Sequence, residues 1–162
     1  MKHLALMLAV MLGAGPALAL SCLPPDVART YKQAAEAQET YVVVLGRLSF
    51  DETKLPKADM ERQQETPPET LIPARIEGTS LSQAGFETPF TANITLNARC
   101  FGPWCAGASS GTRYLAFLER TPEGYVLSID PCGGFGFAEP RADMIEKVIG
   151  CFRGEACKPN PF

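Results

Sequence analysis

Apolar residues recur along this chain in two rhythms. In residues 90–100, Phe90, Ala92, Ile94, Leu96, Ala98 and Cys100 alternate strictly with Thr91, Asn93, Thr95, Asn97 and Arg99. Period two over such a run predicts a strand with one buried and one wet face. Residues 41–50 (YVVVLGRLSF) are rich in β-branched side chains and read as a largely buried strand, with Gly46 marking a bulge or bend. Residues 71–77 predict another strand. Residues 113–119 and 125–130 predict a hairpin through Arg120-Thr-Pro-Glu-Gly124, its core supplied by Tyr114, Leu115, Phe117, Leu118, Val126, Leu127 and Ile129.

Two segments carry the helical rhythm instead. Pro24-Pro25-Asp26 opens a helix with Val27, Tyr31, Ala34 and Ala35 on one side, ending near Gln38. Glu139-Pro140 opens a second, with Met144, Ile145, Val148, Ile149 and Phe152 on its apolar side and a stop at Gly154. Residues 51–70, with Asp51, Glu52, Asp59, Glu61, Glu65 and Glu69 and prolines at 56, 67 and 68, predict a long solvated loop. Its functional reading is a partner-contacting surface. Residues 132–137 (CGGFGF) predict a tight turn packing two aromatics and no regular element. They lack the Gly-Lys-Ser/Thr ending of a phosphate loop. The order is helix, about five strands, helix, with no internal repeat. It predicts a mainly β domain, a five-stranded OB-fold-like barrel with an N-terminal and a C-terminal helix.

Composition changes this picture in two places. The chain has 162 residues, 46% apolar and 20% charged, with net charge −3, which suits one folded domain. Without basic blocks, nucleic acid is not an expected partner. Met1-Lys2-His3, an apolar run from Leu4 to about Leu12 and Ala17-Leu18-Ala19 form a secretory leader over residues 1–19, leaving a single domain over 20–162. Cleavage after Ser21 is a second reading and would expose Cys22 as the terminus. A lipidated Cys22 ranks below both, because Ala19 stands where such signals carry Leu. A membrane anchor needs the helix-weakening Gly13-Ala-Gly-Pro16 inside its span, so no span is expected after cleavage. The expected location is extracytoplasmic, periplasmic or secreted.

The only histidine, His3, leaves with the leader. No imidazole-based nucleophile system and no His-containing metal site can then be assembled. No catalytic residue, metal or cofactor is expected. A carboxylate-based hydrolase remains the chemical alternative and needs two acids converging in a cleft.

All six cysteines, Cys22, Cys100, Cys105, Cys132, Cys151 and Cys157, follow the leader and predict three disulfides. A Gly-Pro turn can close Cys100 on Cys105, and a glycine past a helix end can close Cys151 on Cys157. Cys22 then pairs with Cys132; a Cys22–Cys100 bond is the open alternative. Trp104, between Pro103 and Cys105, reads as a cap over a disulfide or as a binding anchor. Asn93-Ile-Thr95 matches a glycosylation acceptor on the wet face.

Several of these features in order resemble the N-terminal, netrin-like OB domain of the tissue inhibitors of metalloproteinases. They are Cys22 before Pro24-Pro25, Tyr41-Val-Val-Val-Leu45, Cys100-Phe101, Gly111 to Tyr114-Leu-Ala-Phe117, Tyr125 to Cys132, and Gly150-Cys151. The animal family opens with Cys-x-Cys, whereas Ser21-Cys22-Leu23 supplies one cysteine; a small secreted bacterial relative fits better. The resemblance implies zinc chelation in a protease by the free amine and carbonyl of Cys22, provided Cys22 is the mature terminus. Three readings follow. The first is a monomeric, non-enzymatic binding module whose partner is a protein (a protease or an envelope component) or a glycan, contacting the wet face Thr91, Asn93, Thr95, Asn97 and Arg99, with Trp104. The second is a metalloprotease inhibitor acting through Cys22. The third is the carboxylate hydrolase.

Overall fold

Residues 20–160 are described by the computed structural model; the leader expected over residues 1–19 lies outside the described residues. Helix α1 (Val27–Glu36) starts at Asp26, whose Oδ1 accepts the Arg29 N–H at 2.9 Å. Strand β1 (Thr40–Phe50) leads through short 3₁₀ turns at Glu52–Lys54 and Gln63–Glu65 into β2 (Glu69–Ser82). Then come β3 (Gly85–Phe101), β4 (Trp104–Cys105), β5 (Thr112–Thr121), β6 (Gly124–Ile129), β7 (Gly136–Ala138) and helix α2 (Ala142–Phe152). The fold is mainly β.

Five strands each have a strand neighbour on both sides. β1 pairs with β2, β2 with β3, β3 with β6, β6 with β5, and β5 with β1, so the pairings return to their start. Among the described strands only β3–β6 is parallel. β7 adds to β5 beside β6, and β4 folds back on the end of β3.

This arrangement creates two cores. Val44, Leu48, Ile72, Ile76, Ile94, Leu96, Tyr114, Ala116, Leu118, Leu127 and Ile129 pack together in the first, the even phase of β1, β2, β3 and β5 and the odd phase of β6. Val43, Leu45, Leu115, Phe117 and Phe137, the opposite phase of β1, β5 and β7, pack with Val27, Ala34 and Val148 of the two helices in the second. The continuous apolar runs of β1 and β5 are therefore buried on both faces, one by the other strands and one by the helices. Before their tip, β2 and β3 alternate because neither α1 nor α2 covers their outer side.

The structure departs from the sequence expectations in four places. Strands β2 and β3 are much longer than the predicted 71–77 and 90–100, forming one hairpin turned at Gly85, which takes φ 105°. Its tip places Leu81 and Phe86 on the second core, and the Arg153 side chain donates to the Gln83 carbonyl at 3.0 Å. The 132–137 segment is not only a turn: it ends in β7, whose backbone completes the side of β5 that β6 leaves. Asn97 is buried rather than wet, because β3 is flanked there by both β2 and β6. Gly46 is not a bulge; the register runs through it, and the irregularity falls at Ser80/Leu81.

What Gly46 provides is close approach. It lies opposite Gly78, where β1 crosses β2. A Cβ on Gly46 would sit 2.7 Å from the Glu77 carbonyl oxygen, and one on Gly78 would overlap the Leu45 carbonyl and Gly46 Cα. The two backbones meet where neither residue has room for a side chain.

Three disulfides complete the frame: Cys22–Cys132, Cys100–Cys105 and Cys151–Cys157. The alternative Cys22–Cys100 bond is not formed. The first ties the segment before α1 to the end of β6 across 110 residues of sequence. On the chain-entropy model that loop contributes about 4–5 kcal/mol.

Gly78→Ala is expected to cost about 1–3 kcal/mol through backbone overlap. Gly107→Ala, at a site with nothing within 4 Å of the added carbon, should stay within about 0.5 kcal/mol of the parent. Urea unfolding of both variants checks the pair.

Candidate functional site: an uncovered sheet face

The outer side of β2, β3 and β6 is the part of the sheet that the helices leave open. Register places its residues in rows: Glu69 beside Arg99, Leu71 beside Asn97 and Ser128, Pro73 beside Thr95 and Val126, and Arg75 beside Asn93. Leu71, near the start of the β2–β3 ladder, is 65% exposed although it is a large apolar strand residue. Phe101, 37% exposed, continues the same phase past Arg99. Its cross-strand neighbour is Trp104 on β4, so the two aromatic side chains emerge on one side of that short hairpin.

The polar groups of this face are partly engaged. Arg99 approaches Glu69 at 3.5 Å and lies over the Phe101 ring at 5.8 Å. Arg75 bonds Glu77 at 2.6 Å and reaches the Asn93 Oδ1 at 3.3 Å. Asn97 sits between Leu71 and Ser128 with its Oδ1 buried and without a hydrogen-bond partner among the described residues. Leaving such a group unpaired costs about 1–3 kcal/mol.

The Cys100–Cys105 bond closes the tip carrying Phe101 and Trp104. Ordering an aromatic side chain on a rigid tip sacrifices less entropy on binding than ordering one on a free loop. Register places Asn93, Asn97 and Arg99 in one phase of β3, with Asn97 buried, and sets Trp104 opposite Phe101 at the end of that strand. Leu71 and Phe101 join them on this face. The phase of Ile72, Ala74 and Ile76 already turns Leu71 outward, and that of Phe90 to Cys100 does the same for Phe101.

Cys22 lies on the segment before α1, tied to Cys132 just past the end of β6. Ser21, Cys22, Leu23, Pro24 and Pro25 form an exposed ridge held by the bond to Cys132.

Beside that ridge a groove of about 430 Å³ runs between the start of α1, β7 and α2, with Asp26, Glu139 and Asp143 on its walls. Two of these acids already have structural tasks. Asp143 pairs with Arg141 at 2.9 Å, and that contact holds its carboxyl below the ordinary range. Burial alone would raise the Asp26 pKa. The N–H groups of Asn160 (2.8 Å), Arg29 and Ala28, with the nearby Arg29 charge, outweigh burial and hold the carboxyl below its usual 3.8. Among the described residues, no three His, Cys, Asp or Glu side chains stand close enough to hold a metal ion, and no helix is long and apolar enough to cross a membrane.

The chain matches no protein family model, no curated protein and no solved structure.

Asp26 caps α1 and anchors the chain at Asn160, so Asp26→Ala is expected to lose about 1–2 kcal/mol at neutral pH. Because the native pKa is depressed, the stabilisation by this carboxylate is complete above the unfolded value near 3.8 and fades as pH falls through the native value. Urea unfolding across pH 2–7 should show the gap between parent and variant narrowing at the acid end.

Proposed function

We propose that this protein is an extracytoplasmic, disulfide-tied binding module of OB type, working as a monomer, with another protein as its partner. The closed circuit of β1, β2, β3, β6 and β5 with a single parallel pair supports the OB reading. Three disulfides support an oxidising compartment. The observation that carries the binding role is the uncovered β2–β3–β6 face. Leu71, Phe101 and Trp104 supply apolar anchors around Arg99, on a tip made rigid by Cys100–Cys105. Aromatic and arginine side chains in such a setting dominate protein interfaces. The groove acids Asp26 and Asp143 serve as a helix cap and an ion-pair partner, which favours binding over carboxylate catalysis.

A second reading has one observation behind it. The exposed ridge from Ser21 to Pro25, stapled at Cys22, has the shape an N-terminal metalloprotease inhibitor needs. That chemistry requires Cys22 to carry the free amine. N-terminal sequencing of the exported protein decides it, and a start at Leu20 would sink it.

A photo-crosslinking residue at position 71 or 101, in the protein expressed in its own host, is expected to trap one discrete partner, while the same residue at Glu123 in the β5–β6 turn traps none. With that partner purified, Trp104→Ala or Phe101→Ala should weaken binding about tenfold or more without altering the unfolding midpoint by more than a few degrees. Equal crosslinking from all three positions, or unchanged affinity in both variants, removes this face from the interface.

A further inference from the structure

We infer that Arg47 and Arg113 form a binding site for a single oxyanion group, a carboxylate, sulfate or phosphate. The two arginines are direct cross-strand partners on β1 and β5, both exposed, at the margin of the helix-covered face. The Glu139 N–H bonds the Arg113 carbonyl, so the Arg113 peptide groups point to the β7 side and away from β1. Arg47 and Arg113 therefore occupy a non-hydrogen-bonded pair, where opposed Cα atoms approach to about 4.5 Å and side chains are closest. Like charges directly opposed in that position repel.

Among the described residues no carboxylate stands within ion-pair distance of either guanidinium, although Glu139 lines the same recess. Glu77 is the neighbour of Arg47 on β2, but its carboxylate is engaged by Arg75 at 2.6 Å. Glu139 follows β7 on the far side of Arg113, in a left-handed conformation (φ 47°). Among the described residues neither acid forms an ion pair with either arginine, and the next acid along, Asp143, is closed on Arg141. The Arg47 guanidinium is steadied by donating to the Gly111 carbonyl. That of Arg113 makes no hydrogen bond or ion pair among the described residues. Both face an open recess of about 440 Å³ lined also by Gly111, Thr112, Glu139 and Pro140.

Two guanidiniums side by side offer planar donor forks that match the oxygens of a carboxylate, sulfate or phosphate. An anion between them would turn repulsion into attraction, so its binding must stabilise the fold. This site is on different strands from the proposed docking face and does not depend on that reading.

The test is thermal unfolding of the full chain at constant ionic strength, with chloride replaced in turn by phosphate, sulfate and acetate, on the parent and Arg113→Gln. Phosphate and sulfate stabilise most proteins non-specifically, so the readout is the difference between the two chains in the same salt. The parent should gain about 2 °C or more over Arg113→Gln in at least one oxyanion. The Nε–H resonances of Arg47 and Arg113 should shift with saturation in the parent, and the Arg47 response should weaken about tenfold in the variant. A response to acetate alone identifies a carboxylate, and one to phosphate or sulfate alone a tetrahedral anion. Equal gains in both chains, or resonance shifts that track ionic strength without saturating, overturn the site.

Discussion

The antiparallel pairing of β1 with β5, from Thr40↔Arg120 to Leu48↔Thr112, is the contact on which the rest of this molecule depends. It joins a strand near the start of the described chain to one in its second half and brings the succession of pairings back to β1. Closure gives the central strands an inside and an outside. Val44, Leu48, Ala116 and Leu118 then share one core, while Val43, Leu45, Leu115 and Phe117 share another with the helices. Backbone groups that an open sheet would expose at its edges are paired within the molecule. The Gly46–Gly78 contact belongs to the same constraint, since β1 must pass close to β2 on one side while pairing with β5 on the other.

Closure also decides where the surface is left bare. Two short helices cover the outer side of β1, β5 and β7 and leave that of β2, β3 and β6 uncovered. An amphipathic face with Leu71, Phe101 and Trp104 exposed or half-exposed around Arg99 is the consequence. The disulfides act at three places where secondary structure alone would hold least: the segment before α1, the two-residue strand β4 and the segment after α2. The arginine pair lies where the helical cover stops, which is why its two charges remain solvent-facing although strands flank them on both sides.

Much of this was readable from residue order because burial leaves a periodic trace. The strict alternation of Phe90 to Cys100 located the half-bare strand, and the Val-Val-Val-Leu run located a strand covered twice. What escaped was governed by distant partners. The 78–89 segment, rich in Gly, Ser and Thr, has weak intrinsic strand character; it is extended because β2 and β3 continue to pair along it. The β7 segment is too glycine-rich to announce itself, and it is a strand because β5 offers it an unoccupied edge. Asn97 carries a polar side chain in a wet phase, yet flanking strands on both sides bury it.

By itself, then, the sequence determined the mainly β class, the two helices, the direction each alternating strand faces and the availability of six cysteines for three bonds. These follow from local chemistry: side-chain period, capping residues and the reactivity of thiols. Only the tertiary structure decided which strands meet, which phase of each is covered by helices, that Cys22 finds Cys132, and that Arg47 lies against Arg113. Those outcomes depend on residues far apart in the chain, and no local pattern carries the position of a neighbour that closure supplies.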